Sequence, residues 1–123
     1  MVYKILLVED EVLMAQMYKD KLELAGFEVS WAISSKQALA SIKKQKPDLI
    51  VLDILLPTEN GLFCLRKIKN NDSFKNIPVI AFSNYDEVET KKEALSLGVK
   101  VYLLKTDFTP NKLVKEIKKY LKK

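Results

Sequence analysis

The sequence has no histidine, one cysteine, one arginine and three glycines in 123 residues. Without histidine there is no Ser-His-Asp or Cys-His catalysis and no histidine-ligated metal. Cys64 stands alone, which excludes an intrachain disulfide and a cysteine-cluster zinc site. No uninterrupted apolar run approaches the ~18 residues of a membrane span. The run Ile5-Leu6-Leu7-Val8 stops at Glu9, too short for a signal peptide and without a small-residue cleavage site. A cytoplasmic location without membrane contact is therefore expected. Any chemistry must come from carboxylates, hydroxyls, lysines and backbone.

What is present is ordinary for a folded domain. The 48% apolar and 30% charged content belongs to a globular protein, and the length fits one domain over residues 1–123. The net charge of +5 is local: residues 112–123 hold six lysines and one acid, so the rest of the chain sums to zero. Leu113, Val114, Ile117 and Leu121 fall at helical spacing there, with lysines on the opposite face. Lysines near a helix C-terminus are favoured by its dipole, and a solvated face accounts for them. A surface for an acidic partner is the alternative. Direct nucleic-acid binding is disfavoured, because Arg66 is the single arginine and arginine supplies most bidentate contacts to bases and phosphates.

Five apolar, strand-like runs recur at 5–8, 27–31, 49–52, 79–82 and 101–104. Each precedes a helical pattern. The first helix, 12–25, counts Leu13, Met17, Leu22 and Leu24 among its apolar positions and stops at Gly26. The second, 35–45, is capped by Ser34. The third covers 61–70, the fourth 86–97 with Gly98 at its end, and the fifth opens with Thr109 as cap and Pro110 as first helical residue. Strands alternating with helices need right-handed crossovers, hence a parallel sheet covered on both faces. The second run alternates Phe27, Val29 and Trp31 with Glu28 and Ser30, as an edge strand does. The pattern predicts an α/β fold: a doubly wound, five-stranded (βα)5 sheet of flavodoxin-like type, in strand order 2-1-3-4-5.

In such sheets ligands bind beyond the carboxyl ends of the strands, where strands one and three part their connections. Strand one runs into Glu9-Asp10-Glu11, strand three into Asp53, strand four into Ser83-Asn84, and strand five into Lys105-Thr106. Taken singly, Asp10 reads equally as a helix cap, Ser83 as a turn residue and Lys105 as a surface lysine. Asp53 closes a buried strand and needs compensation. Together, Glu9, Asp10 and Asp53 crowd negative charge that a hard, oxygen-preferring cation would relieve, Mg²⁺ above all. Lys105 and Ser83 supply an ammonium and a hydroxyl suited to an oxyanion. A metal, a carboxylate nucleophile and a lysine suffice for phosphoryl transfer to an aspartate.

These residues, in this order and spacing, resemble the receiver domain of two-component response regulators, in its stand-alone, single-domain form. The marks are Glu9-Asp10, then Asp53 with Pro57 and Gly61 after it, Ser83 after strand four, Gly98 before strand five, and Tyr102 three residues before Lys105. The resemblance covers the whole chain. It implies Asp53 as phospho-acceptor and Mg²⁺ bound by Asp10, Asp53 and the backbone carbonyl of Leu55, with Glu9 acting mostly through a water. It implies Lys105 paired with the phosphoryl group, Ser83 rotating in to hydrogen-bond it, and Tyr102 reorienting as Ser83 moves. The face of helix four, strand five and helix five would change for protein partners, a homodimer among them. The donor would be a separate histidine kinase or phosphotransfer protein, since this chain has no histidine. Such a domain is a signalling switch rather than an enzyme for outside substrates.

Two departures from the family pattern bear on the site. Thr106 stands where proline usually follows the lysine in a cis peptide; a non-proline cis bond costs about 2.5–4 kcal/mol, so a trans or strained bond is expected. Glutamate replaces the commoner aspartate at position 9. The resemblance also implies that Leu55 and Tyr85 hold positions that tune attack by water on the phosphoaspartate, where a bulky apolar pair suggests a slow-decaying phosphoform. Other readings of the fold fail on particular residues. An FMN binder needs a phosphate-cradling loop after strand one, where three acids stand. The Gly-x-x-x-x-Gly-Lys loop of nucleotide hydrolases is absent, and an aspartate phosphatase would want an acid at Leu55. The remaining alternative is a receiver-like interaction module that works without phosphorylation.

Overall fold

The computed structural model of the chain describes residues 2–56, 60–84 and 86–121. These residues form strands β1 (Lys4–Val8), β2 (Glu28–Ala32), β3 (Leu49–Leu52), β4 (Val79–Ser83) and β5 (Val101–Leu104). Between and after them come helices α1 (Val12–Leu24), α2 (Ser35–Lys44), α3 (Gly61–Lys69), α4 (Val88–Ser96) and α5 (Pro110–Leu121). All pairings are parallel, in the order β2-β1-β3-β4-β5. This is the sheet expected from the alternating pattern, with the half-polar run at its edge.

Two cores follow from the period of a strand, which sends successive side chains to opposite faces. Leu6, Val8, Ile50, Leu52, Val79 and Ala81 pack with Ala38, Ile42, Leu65, Ile68 and Ala94, so α2, α3 and α4 cover one face. Ile5, Leu7, Leu49, Val51, Ile80 and Phe82 pack with Ala15, Tyr18, Leu22, Leu113 and Ile117, so α1 and α5 cover the other. Cys64 is buried in the first core and behaves as a small apolar residue. Among the described residues no helix is long and apolar enough to cross a membrane.

Several helix ends match the sequence signals. The Ser34 hydroxyl accepts the Gln37 N–H at 3.2 Å, and Thr109 accepts that of Lys112 at 3.2 Å. Gly26 and Gly98, with φ of +98° and +105°, turn the chain after α1 and α4 through the left-handed region that side chains resist. Helix α4 starts at Val88, two residues later than its pattern suggests.

The core face of α1 is a correction. Leu13 is 83% exposed and Leu24 82%, and Met17 lies exposed on the same stripe. Leu22 is buried as its apolar character suggests, and with it the helix buries Ala15 and Tyr18 rather than Leu13, Met17 or Leu24. Two stripes of helical period coexist on α1, and hydropathy favours the one with more leucine and methionine. The sheet selects the other, because a small Ala15 lets the helix approach while Tyr18 fills the space above Phe82.

Candidate functional site

The register of the central strands brings the acids together. Val8 of β1 pairs with Leu52 of β3, so the next residues, Glu9 and Asp53, leave the sheet side by side. The Asp53 N–H donates to the Val8 carbonyl at 3.0 Å and fixes that adjacency. At the far side Ser83 pairs with Leu104, which places Lys105 one step beyond the end of β4. Glu9, Asp53, Ser83 and Lys105 are all buried.

Lys105 bridges two of the acids. Its Nζ donates to Asp53 Oδ2 at 3.0 Å and to Glu9 Oε1. Asp53 Oδ1 accepts the Leu55 N–H at 2.9 Å, and Glu9 Oε2 accepts the Glu11 N–H at 3.2 Å. Asp10 is different: half-buried, it makes no carboxylate hydrogen bond or ion pair among the described residues. The residue in the N-cap position of α1 is Glu11, which makes no side-chain capping bond, so Asp10 is not consumed as a helix cap. One carboxylate oxygen each of Glu9, Asp10 and Asp53 lie within 4.8 Å of one another.

Burial raises the proton affinity of Asp53. Desolvation pushes the Asp53 carboxyl up to about 6, with Glu9 acting the same way; the Lys105 ammonium and the Leu55 N–H oppose it. Burial pulls Lys105 down, but its hydrogen bond to Glu9 and the charges of Asp53 and Glu9 outweigh that, so it lies above the usual lysine value. Three carboxylates thus face one firmly protonated ammonium, a deficit that a divalent cation would remove.

Gly61 holds the Asp53 turn by its lack of a side chain. Its N–H donates to the Ile54 carbonyl at 2.7 Å. A Cβ there would lie 2.6 Å from the Asp53 carbonyl oxygen and 2.6 Å from Ile54 Cα, both backbone atoms that cannot swing aside. Gly61→Ala is expected to cost about 2–3 kcal/mol of stability in urea unfolding, from overpacking with backbone displacement. The same variant should bind Mg²⁺ more weakly, because the displaced segment carries Asp53.

The sequence-predicted residues divide clearly. Glu9, Asp10, Asp53 and Lys105 converge. Ser83 ends β4 fully buried, and Tyr102 is buried in β5 against the α2–α4 side. Leu55 is 49% exposed beside Asp53, bridged to Asn60. Pro57 and Tyr85 lie outside the described residues. The Lys105–Thr106 peptide is trans and opens a single 3-10 turn, Lys105–Asp107.

Three aromatic residues of the site carried no signal in the sequence. The Phe82 ring centroid lies 5.9 Å from Lys105 Nζ, within cation–π range. Tyr18 meets Phe82 edge to face at 5.2 Å. Burial holds its phenol above the usual tyrosine range, with Lys105 opposing and Glu9 adding. The Trp31 indole donates to the Glu9 carbonyl at 2.6 Å. Phe82 and Trp31 read as strand packing in the sequence and Tyr18 lies off the stripe of α1 that hydropathy favours; only the assembled sheet shows what lies next to them.

A buried aspartate at the end of the middle strand, bonded to a lysine and flanked by two more acids, can be compared with known proteins. A family profile described as the response regulator receiver domain matches residues 5–118. The chain belongs to that family. Among relatives of this receiver domain, the phosphate regulon transcriptional regulatory protein PhoB of Pseudomonas aeruginosa is 36% identical over 119 residues, 97% of this chain. The match covers 52% of PhoB, so the chain spans about half the length of that relative. The polar-differentiation response regulator DivK of Brucella anthropi is 30% identical, over 95% of this chain and 94% of its own. The structure of the chemotaxis protein CheY4 of Vibrio cholerae superposes with a TM-score of 0.91 at 28% identity, covering 98% of this receiver domain and 100% of CheY4.

Proposed function

We propose that this receiver domain is a cytoplasmic phosphorylation switch in which Asp53 accepts a phosphoryl group from a phosphohistidine on a separate protein. An ionised Asp53 oxygen attacks phosphorus and forms the new P–O bond. The donor's P–N bond breaks, and the departing imidazole keeps the electron pair and takes up a proton. The donor is a histidine kinase or phosphotransfer protein.

The observation that carries this reading is the pairing of a buried Asp53 carboxylate with Lys105 at 3.0 Å beside two further acids. Three hard carboxylate oxygens within 4.8 Å, with Asp10 lacking a protein partner among the described residues, fit Mg²⁺. Asp10, Asp53 and the Leu55 carbonyl would hold it, with Glu9 acting indirectly. When bound, the ion supplies positive charge that offsets the carboxylates and the phosphoryl oxygens. Lys105 neutralises Asp53 in the resting site and turns to the phosphoryl oxygens after transfer. Ser83, at the end of β4, donates its hydroxyl to them, and Tyr102 in β5 responds to the shift of Ser83. The surface of α4, β5 and α5, where Val88 and Leu95 lie exposed, changes for a downstream protein or a second copy of the chain. Leu55 and Tyr85 set the rate at which water removes the phosphoryl group.

The test is intact-mass measurement after incubation with acetyl phosphate and Mg²⁺. One added phosphoryl group, lost when the metal is chelated beforehand, is expected. An unchanged mass in the presence of Mg²⁺ would instead favour the interaction module that works without phosphorylation.

A further inference from the structure

Trp31 is the single tryptophan of the chain and sits near the end of the edge strand β2. Packing does not require an indole there, because its ring is only half-buried at the border of the α1–α5 core. A phenylalanine or leucine would cover the same edge. What distinguishes Trp31 is its donor, which reaches from β2 to the Glu9 carbonyl just past the end of β1, at 2.6 Å.

That carbonyl belongs to the peptide joining Glu9 to Asp10. The Glu9 N–H is already held by the Ala32 carbonyl at 3.0 Å, so consecutive residues of β2 grip Glu9 at both backbone polar groups. Fixing the carbonyl fixes the plane of the peptide. The plane in turn sets where the Asp10 amide lies, and with it the direction in which the Asp10 side chain leaves the backbone. The Glu11 carbonyl beyond it accepts the Ala15 N–H at 2.9 Å, which anchors the far side of Asp10 but leaves the Glu9–Asp10 peptide to the contacts of Glu9. Glu11 makes no side-chain cap, and Asp10 makes no carboxylate hydrogen bond among the described residues. The Glu11 N–H to Glu9 Oε2 contact, at 3.2 Å, depends on a side chain that also serves Lys105.

We infer that Trp31 is a positioning residue of the cation site: its indole N–H locks the Glu9–Asp10 peptide so that Asp10 points at Asp53, and cation binding is felt at the indole. This rests on the reading of Glu9, Asp10 and Asp53 as an Mg²⁺ site. Outer hydrogen bonds that orient metal ligands typically change affinity about tenfold or more when removed.

The experiment is Mg²⁺ titration of the full chain, followed by calorimetry and by the one indole ¹⁵N–¹H resonance that a single tryptophan provides. Two variants remove the donor: Trp31→Phe, and Trp31 replaced by 3-benzothienylalanine, which keeps the bicyclic shape with sulfur in place of N–H. Both are expected to bind Mg²⁺ about tenfold more weakly. Urea unfolding reports packing separately; a role confined to packing would lower the stability of Trp31→Phe and leave the Mg²⁺ affinity of both variants unchanged. In the wild type the indole resonance should move as Mg²⁺ saturates. Unchanged affinity in the benzothienyl variant, or an indole resonance indifferent to Mg²⁺, overturns the positioning role while leaving the cation site standing. A wild-type protein that fails to bind Mg²⁺ at millimolar concentration overturns both.

Discussion

Asp53→Asn is expected to gain no mass from acetyl phosphate and Mg²⁺, and yet to fold more stably than the wild type by about 2 kcal/mol at neutral pH without metal. Loss of phosphorylation follows from replacing the attacking carboxylate by an amide. The gain in stability follows from desolvation, which lifts the Asp53 carboxyl from 3.8 to about 6 in the folded protein. Between these values the folded state holds a proton that the unfolded state has released. Stability contributed by Asp53 is therefore complete below its unfolded pKa and is lost as pH rises through about 6. A neutral amide of the same shape removes that loss and keeps one acceptor for Lys105, at the cost of the bond that Asp53 Oδ1 accepts from the Leu55 N–H. Urea unfolding should accordingly show the variant's advantage at neutral pH and its disappearance near pH 4. Saturating Mg²⁺ should narrow the gap, since the ion stabilises the wild type by binding the folded state alone. Equal stability of the two proteins at both pH values would refute the burial argument.

Lys105→Met should act in the opposite direction. The ammonium serves Asp53 and Glu9 at once, and both carboxylates are buried. Removing one partner of a buried ion pair leaves charge without compensation, and the expected cost is about 3–5 kcal/mol at neutral pH. Methionine keeps most of the length of the side chain while removing the ammonium and its cation–π contact with Phe82, so the loss reports charge rather than packing. At acid pH, where the carboxyls take up protons, the deficit should shrink. With the competing ammonium gone, Mg²⁺ affinity should rise by about tenfold, as expected for a cation entering a more negative site. The rate of phosphoryl gain should nevertheless fall by about 10²-fold, because one charge that stabilises the transferring oxygens is missing. Unfolding and Mg²⁺ titration at two pH values separate these effects; weaker Mg²⁺ binding by the variant would show that Lys105 supports the cation site rather than competing with it.

Some of this molecule was legible in residue order because its information is periodic or local. Apolar runs of strand length, each followed by a helical pattern, name the elements. The half-polar run 27–31 marks the edge, and from there the strand order and the crevice between strands one and three follow. Acids at the ends of strands one and three, with Lys105 after strand five, then fall at one end of the sheet with no further information. Ser34 and Thr109 announced their capping bonds for the same local reason.

Less was legible where two patterns competed or where partners lie far apart in the chain. On α1 the stripe with more leucine and methionine faces solvent, because fit against the sheet, rather than hydropathy, selects Ala15, Tyr18 and Leu22. Asp10 reads in sequence as either a helix cap or a ligand; the turn geometry, with Glu11 in the capping position, withholds the first role. The amino-acid order by itself determined the fold type, the end of the sheet that carries charge and the residues that could meet there, since each depends on local periodicity and on the few ways a parallel sheet can connect. Only tertiary structure decided that Lys105 bridges Glu9 and Asp53, that Phe82 lies beneath its ammonium and that Trp31 grips the Glu9–Asp10 peptide, since those contacts join residues 22 to 96 positions apart and depend on strand register, which no local pattern encodes.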